Sequence, residues 1–186
     1  MTDNGSIQRL IYIGMLSWHK GPQFLLEALG QIIVEFPYLY LMMVGDGPQC
    51  TDLKNQAHRL QVADRVDFIG QVPVTLMEKY YERVDVCVIP SLFETFSMVA
   101  CEAMAHGLPV IAARRGSLPE LVVDGVTGLL VEPTDPQAIA TAVRRLVRNP
   151  GEARQMGING QDRTRRLYSP DSYLNHLKDV VYFVQT

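Results

Sequence analysis

Six short apolar runs, each followed by a turn and then by residues at helical spacing, constrain this chain more than any other feature. They are Leu10–Ile13, Leu39–Val44, Val66–Ile69, Val84–Ile89, Val110–Ala112 and Gly128–Val131, and most are apolar on consecutive rather than alternate residues. A strand that is apolar on both faces must be covered on both, which is the condition of a parallel sheet between two layers of helices. Between the runs, Leu25, Leu29, Ile32, Ile33 and Phe36 mark one helical face that Pro37 stops. Leu53, Ala57 and Leu60 make a second stripe, and Leu76, Tyr80 and Tyr81 a shorter third. Ser97 to His106 runs without glycine or proline, and Gly107 offers the left-handed position that ends a helix. Asp135-Pro136, Asn149-Pro150 and Ser169-Pro170 pair a cap with a first-turn proline and announce three late helices. The expectation is an α/β fold: one doubly wound, Rossmann-like parallel sheet flanked by helices, spanning 1–186, with extra C-terminal helices and no internal repeat.

Sheets of this kind bind ligands beyond the carboxyl ends of their strands. Gly14, Gly45, Gly70, Ser91 and Arg114 all fall just past expected strand ends, so they should line one crevice. Glu94 lies in the loop after the fourth run, and Glu102 sits inside the helix that follows. The N–H groups of Phe96, Ser97 and Met98 would be orphan donors of the first turn, and with the helix dipole they favour an anion. Carboxylates are poor ligands for phosphate and good acceptors for hydroxyl groups. The combination suits a molecule that carries phosphate and several hydroxyls. Each residue also has a plain reading: Glu94 as a glutamate favoured by the dipole, Glu102 as a solvent-facing one, and Lys20 as an exposed lysine before a helix.

Other features exclude whole classes. A net charge of −3 gives no sign of a nucleic-acid surface. Arg144, Arg145, Arg148, Arg163, Arg165 and Arg166 read as solvated helix faces ahead of a lipid contact. Cys50, Cys87 and Cys101 are odd in number and lack metal spacing, so buried reduced thiols in the cytoplasm are expected. No apolar run approaches the roughly 20 residues of a membrane span, and Met1–Ser6 is no signal peptide. No His, Cys and Asp cluster has metal-ligand spacing, so no metal is expected. The Gly45-Asp46-Gly47-Pro48 turn fails the dinucleotide fingerprint, because Cys50 stands where the third glycine would be.

The stretch from Glu94 to Glu102, continued by Ala103-Met104-Ala105-His106-Gly107-Leu108-Pro109-Val110, resembles the E-x7-E signature of the retaining GT-B glycosyltransferases, glycosyl transferases group 1. Tyr12-Ile13-Gly14 through Lys20-Gly21 resembles that family's first phosphate loop. Val44–Pro48, Val66–Gly70, Pro119-Glu120 and Asp124–Val131 follow in the family's order. The resemblance implies a C-terminal, donor-binding half of a GT-B fold that takes a nucleotide diphosphate sugar, with no cofactor and no metal. It implies that Gly14 and Lys20 face the diphosphate with the backbone of Phe96, Ser97 and Met98, and that Glu102 accepts the ribose hydroxyls. Glu94 would be the catalytic residue, contacting the transferred hexose near the reacting carbon. Val72 lies in the segment whose backbone meets the nucleobase, and Glu120 fits a further glutamate by the cleft, with capping as its other reading.

One position departs from the pattern. Met15 stands where the family usually has an arginine, which removes a phosphate contact. Weak donor binding, compensation by an arginine such as Arg114 or Arg115, and loss of catalysis are the three explanations. A complete family enzyme also has an N-terminal acceptor domain, and this chain begins where the second domain would. Transfer by these residues alone is therefore not expected, and a membrane surface is reached, if at all, through the acceptor. A non-catalytic GT-B-like interaction module and half of a nucleotide-sugar epimerase are the alternatives. A glycosidase reading of the paired carboxylates ranks lower, because hydrolysis needs no phosphate-binding helix terminus beside them.

Overall fold

Strands form where the apolar runs lie: β1 (Arg9–Ile13), β2 (Tyr40–Val44), β3 (Val66–Gly70), β4 (Val86–Ile89), β5 (Val110–Ala113) and β6 (Gly128–Val131). The structure is a computed structural model and describes residues 6–167. All six strands pair in parallel in the order β3-β2-β1-β4-β5-β6. The chain winds outward from β1 to β3, then returns to lay β4 on the other side of β1. The loops after β1 and β4 therefore part in opposite directions, and a crevice opens between them.

Seven helices complete the described part: α1 (Pro22–Ile32), α2 (Cys50–Arg59), α3 (Glu78–Tyr81), α4 (Met98–Ala105), α5 (Leu118–Leu121), α6 (Pro136–Arg148) and α7 (Pro150–Leu167). Successive residues of β1 feed opposite layers. Leu10 and Tyr12 pack with Leu25, Leu29, Leu53, Ile139 and Val143 of α1, α2 and α6. Ile11 packs with Tyr81, Ala100, Met104 and Leu118 of α3, α4 and α5. The fold is the expected Rossmann-like sandwich, apolar on both faces of the sheet. Asp135 caps α6 by accepting the Ala138 N–H at 3.0 Å, and α7 opens at Pro150 as its proline pair implies. The pair Ser169-Pro170 lies outside the described residues.

Local details differ from the expectations. A 3-10 turn, Val74–Leu76, precedes α3 after Pro73 and shifts the phase of that segment. Met77 and Tyr81 consequently face the core, while Leu76 is exposed. β4 starts at Val86 rather than Val84, because Asp85 turns into the amino end of the sheet. Cys50 is half-buried, whereas Cys87 and Cys101 are buried, and all three are free thiols. The late arginines are engaged: Arg144 and Arg148 with Glu35, Arg145 with Glu152, and Arg166 with Asp162. No helix among the described residues is long and apolar enough to cross a membrane.

Candidate functional site

The crevice is lined from the loops after β1, β2 and β4 and from the start of α4. Ser97 is the buried N-cap of α4, extended at φ −96° and ψ 94°, and its Oγ accepts the Ala100 N–H at 3.3 Å. The helix itself begins at Met98, so its first-turn donors are those of Met98 and Val99, one step later than the sequence suggested. At its other end Gly107 takes φ +73°, the left-handed turn expected there.

Two cavities meet at Ile13, Gly14, Met98 and Val99. The smaller, about 190 Å³, is lined also by Tyr12, Lys20, Ser91, Glu94, Phe96 and Ser97. The larger, about 450 Å³, adds Met15, Gly45, Asp46, Gln71, Val72, Met77 and Glu102. Gly14, Lys20, Val72, Glu94, Phe96, Ser97, Met98 and Glu102 are thus brought to one continuous cleft. A groove of about 540 Å³ along β6 and α6 contains none of them.

Lys20 ends a 3-10 turn after β1, and its Nζ donates to Glu94 Oε2 at 2.9 Å across 74 residues of chain. The backbone on either side is tied together, because the Leu92 N–H donates to the His19 carbonyl at 2.8 Å. On the far side, Ser117 N–H donates to the Glu94 carbonyl at 3.1 Å. Gly116 makes that approach possible: a Cβ there would stand 1.8 Å from the Glu94 oxygen, on a backbone at φ +54°. Gly45 plays the same part in the other wall, where a Cβ would lie 2.0 Å from the Gly14 carbonyl oxygen.

Two tyrosines brace the cleft. Tyr12 donates its hydroxyl to the Met15 carbonyl at 2.7 Å and so holds the first loop. Tyr81 donates to Glu102 Oε2 at 2.8 Å. Burial first, and then the charge of Glu94, pushes the Tyr12 phenol above its ordinary value. Burial, followed by Cys87 and Glu102, does the same to Tyr81, so both phenols keep their protons.

Three expected residues lie elsewhere. Arg114 does not line the cleft; it pairs with Asp124 at 2.9 Å and stands 3.7 Å from Glu132. Arg115 lines a separate hollow with Trp18 and Phe93, so neither arginine lines the cleft beside Met15. Glu120 is exposed on α5 and lines neither cavity, while its carbonyl accepts Arg163 at 2.7 Å. The sequence reading missed the partner of Glu102. The available signal was that a buried tyrosine needs an acceptor for its hydroxyl. Among the described residues no group of three His, Cys, Asp or Glu side chains is placed to hold a metal ion.

The family model of the glycosyl transferases group 1 matches residues 4–163. The chain belongs to that family. It is 37% identical over 168 residues to D-inositol 3-phosphate glycosyltransferase 2 of Catenulispora acidiphila, covering 85% of itself and 39% of the relative. Sucrose-phosphate synthase of Thermosynechococcus elongatus superposes with a TM-score of 0.85 at 33% identity, over 97% of this chain and 46% of that one. Anabaena HepE in complex with UDP-glucose superposes with a TM-score of 0.86 at 26% identity, over 95% and 49% respectively. The chain therefore spans less than half the length of each of these three proteins.

Proposed function

We propose that this chain is the C-terminal, donor-binding domain of a retaining GT-B glycosyltransferase that moves a hexosyl group from a nucleotide diphosphate sugar to an acceptor. The observation that carries the reading is Lys20 joined to Glu94 beside the start of α4, with Glu102 in the adjoining cavity. A cation and a helix N-terminus suit the diphosphate, whose negative charge grows as the glycosidic bond breaks. The carboxylates on either side suit the hydroxyls of the hexose, at Glu94, and of the ribose, at Glu102. The base then lies toward Val72 and Met77, on the Glu102 side of the cleft. In this reading no metal or cofactor is required, and UDP-glucose in HepE supports a nucleotide sugar as the ligand class.

Met15, Phe96 and Met98 are large, apolar and exposed along the cleft, and Trp18 and Phe93 are exposed in the separate hollow beside Arg115. An apolar rim of that kind supports packing against a second, acceptor-binding domain. The isolated 186-residue chain is accordingly expected to bind donor without transferring sugar, and transfer by it alone contradicts this division of labour. A second reading, a GT-B-like binding module without catalysis, is favoured by Met15, which puts a methionine where the resemblance calls for an arginine.

Calorimetric titration with UDP, GDP and ADP and their hexose conjugates tests the site. Saturable binding that prefers one base, weakened about tenfold or more in Glu102→Ala, is expected. Absence of binding by every one of them at millimolar concentration rejects the donor site.

A further inference from the structure

Glu102 is a flexible side chain on the wall of an open cavity, yet it is held by a residue that cannot move. Tyr81 is 2% exposed and packs among Met77, Val84, Cys87 and Ala103. Its ring stacks on the His106 imidazole with centroids 4.8 Å apart and planes inclined by 16°. Its hydroxyl, at the end of that fixed ring, donates to Glu102 Oε2 at 2.8 Å from a helix 21 residues away in sequence. A glutamate has three rotatable side-chain bonds, and ordering them on binding weakens affinity unless the free protein has ordered them already.

We infer that Tyr81 is a positioning residue, fixing Glu102 in the rotamer that accepts the ribose hydroxyls of the donor nucleotide; the inference rests on the donor-site reading above. The chemistry leaves room for both partners. A carboxylate has about four acceptor positions on its two oxygens. One is given to Tyr81, and the rest serve a vicinal diol. The phenol stays a donor because burial, then Cys87 and Glu102, hold its proton on. The geometry also explains why the contact joins α3 to α4. These are the helices that flank the base side of the cleft, so the Tyr81 hydroxyl ties the ribose acceptor to the wall that carries Met77.

A tyrosine that merely satisfied its own buried hydroxyl would look the same in the structure, so the test must separate the two roles. The 186-residue chain, Tyr81→Phe and Glu102→Ala are each titrated with UDP, GDP and ADP and with the 2′,3′-dideoxy form of each. Phenylalanine keeps the ring, its burial and its stacking on His106, and thermal unfolding verifies that the variant folds. For the nucleotide that binds, Tyr81→Phe is expected to weaken binding about tenfold, or about 1.4 kcal/mol. Its affinity for the dideoxy form, which offers Glu102 nothing to hold, should change less than about twofold, the signature of a coupled pair. Equal loss for both ligands, or no loss for either, overturns the positioning role. If Glu102→Ala weakens binding of the two forms equally or not at all, or if no nucleotide binds, the donor-site reading fails and the inference falls with it.

Discussion

Asp85 and Glu102 are carboxylates at opposite ends of one sheet, and they are satisfied in opposite ways. At the amino end Asp85 is 2% exposed, and its Oδ2 accepts the backbone N–H groups of Gln8 at 2.8 Å and Arg9 at 2.9 Å. Its own N–H donates to the Arg9 carbonyl at 2.8 Å. Both of these donors belong to the main chain entering β1, so the carboxylate fastens β4 to its neighbour. At the carboxyl end Glu94 and Glu102 are each met by one side chain, Lys20 and Tyr81, and each lines a cavity. A backbone donor fixed by a strand is permanent, whereas a single side-chain partner leaves acceptor capacity for something else. The kind of partner, more than burial, separates a structural carboxylate from one ready for a ligand.

The largest expected effect tests the structural end. Asp85→Ala leaves two backbone donors without their charged acceptor, and urea unfolding should show a loss of about 3 kcal/mol. The same measurement on Glu102→Ala should give a smaller loss, about 1 kcal/mol, because a single neutral donor, the Tyr81 hydroxyl, loses its partner. Equal losses would erase the distinction.

The next effect sharpens the ligand end. Met15 is 55% exposed and lines the cleft, so Met15→Arg adds a cation without disturbing the core. Calorimetry should show nucleoside diphosphate binding tightened about tenfold, with thermal stability unchanged. No gain would mean that the diphosphate lies elsewhere. Smaller still is Glu94→Gln, which removes the negative charge that holds Lys20. Binding of a nucleoside diphosphate without sugar should tighten about threefold, in keeping with the modest strength of a partly exposed ion pair. The preference for the sugar conjugate over the bare diphosphate should fall in the same variant.

Much of this architecture is legible in the chain itself. The strands stand out because burial on both faces forbids polar alternation, and five of the six begin within a residue of their expected starts. The sixth, β4, begins two residues late, because Asp85 looks like part of an apolar run until its backbone partners are seen. The end of α4 was legible in Gly107, since a C-terminal turn is local chemistry, whereas Ser97, read as a first-turn donor, is the N-cap. Four-residue α5 carries no periodicity to read, and the 3-10 turn at Val74–Leu76 changed the phase of α3. The pairing Lys20–Glu94 was beyond reach for a different reason: it joins residues 74 apart in sequence, and only the return of β4 beside β1 brings their loops together. Tyr81–Glu102 spans 21 residues across β4, and its one signal was the need of a buried tyrosine for an acceptor. Arg114 lies past a strand end as expected, but Asp124 holds it by β6, outside the cleft.

The most direct measurement is a crystal structure of the 186-residue chain with whichever of UDP, GDP or ADP it binds. The account predicts the diphosphate at the N-terminus of α4 within hydrogen-bonding distance of Lys20 Nζ, with the ribose hydroxyls on Glu102. A nucleotide lodged in the groove along β6 and α6, or bound in the cleft without touching Glu102, would contradict it.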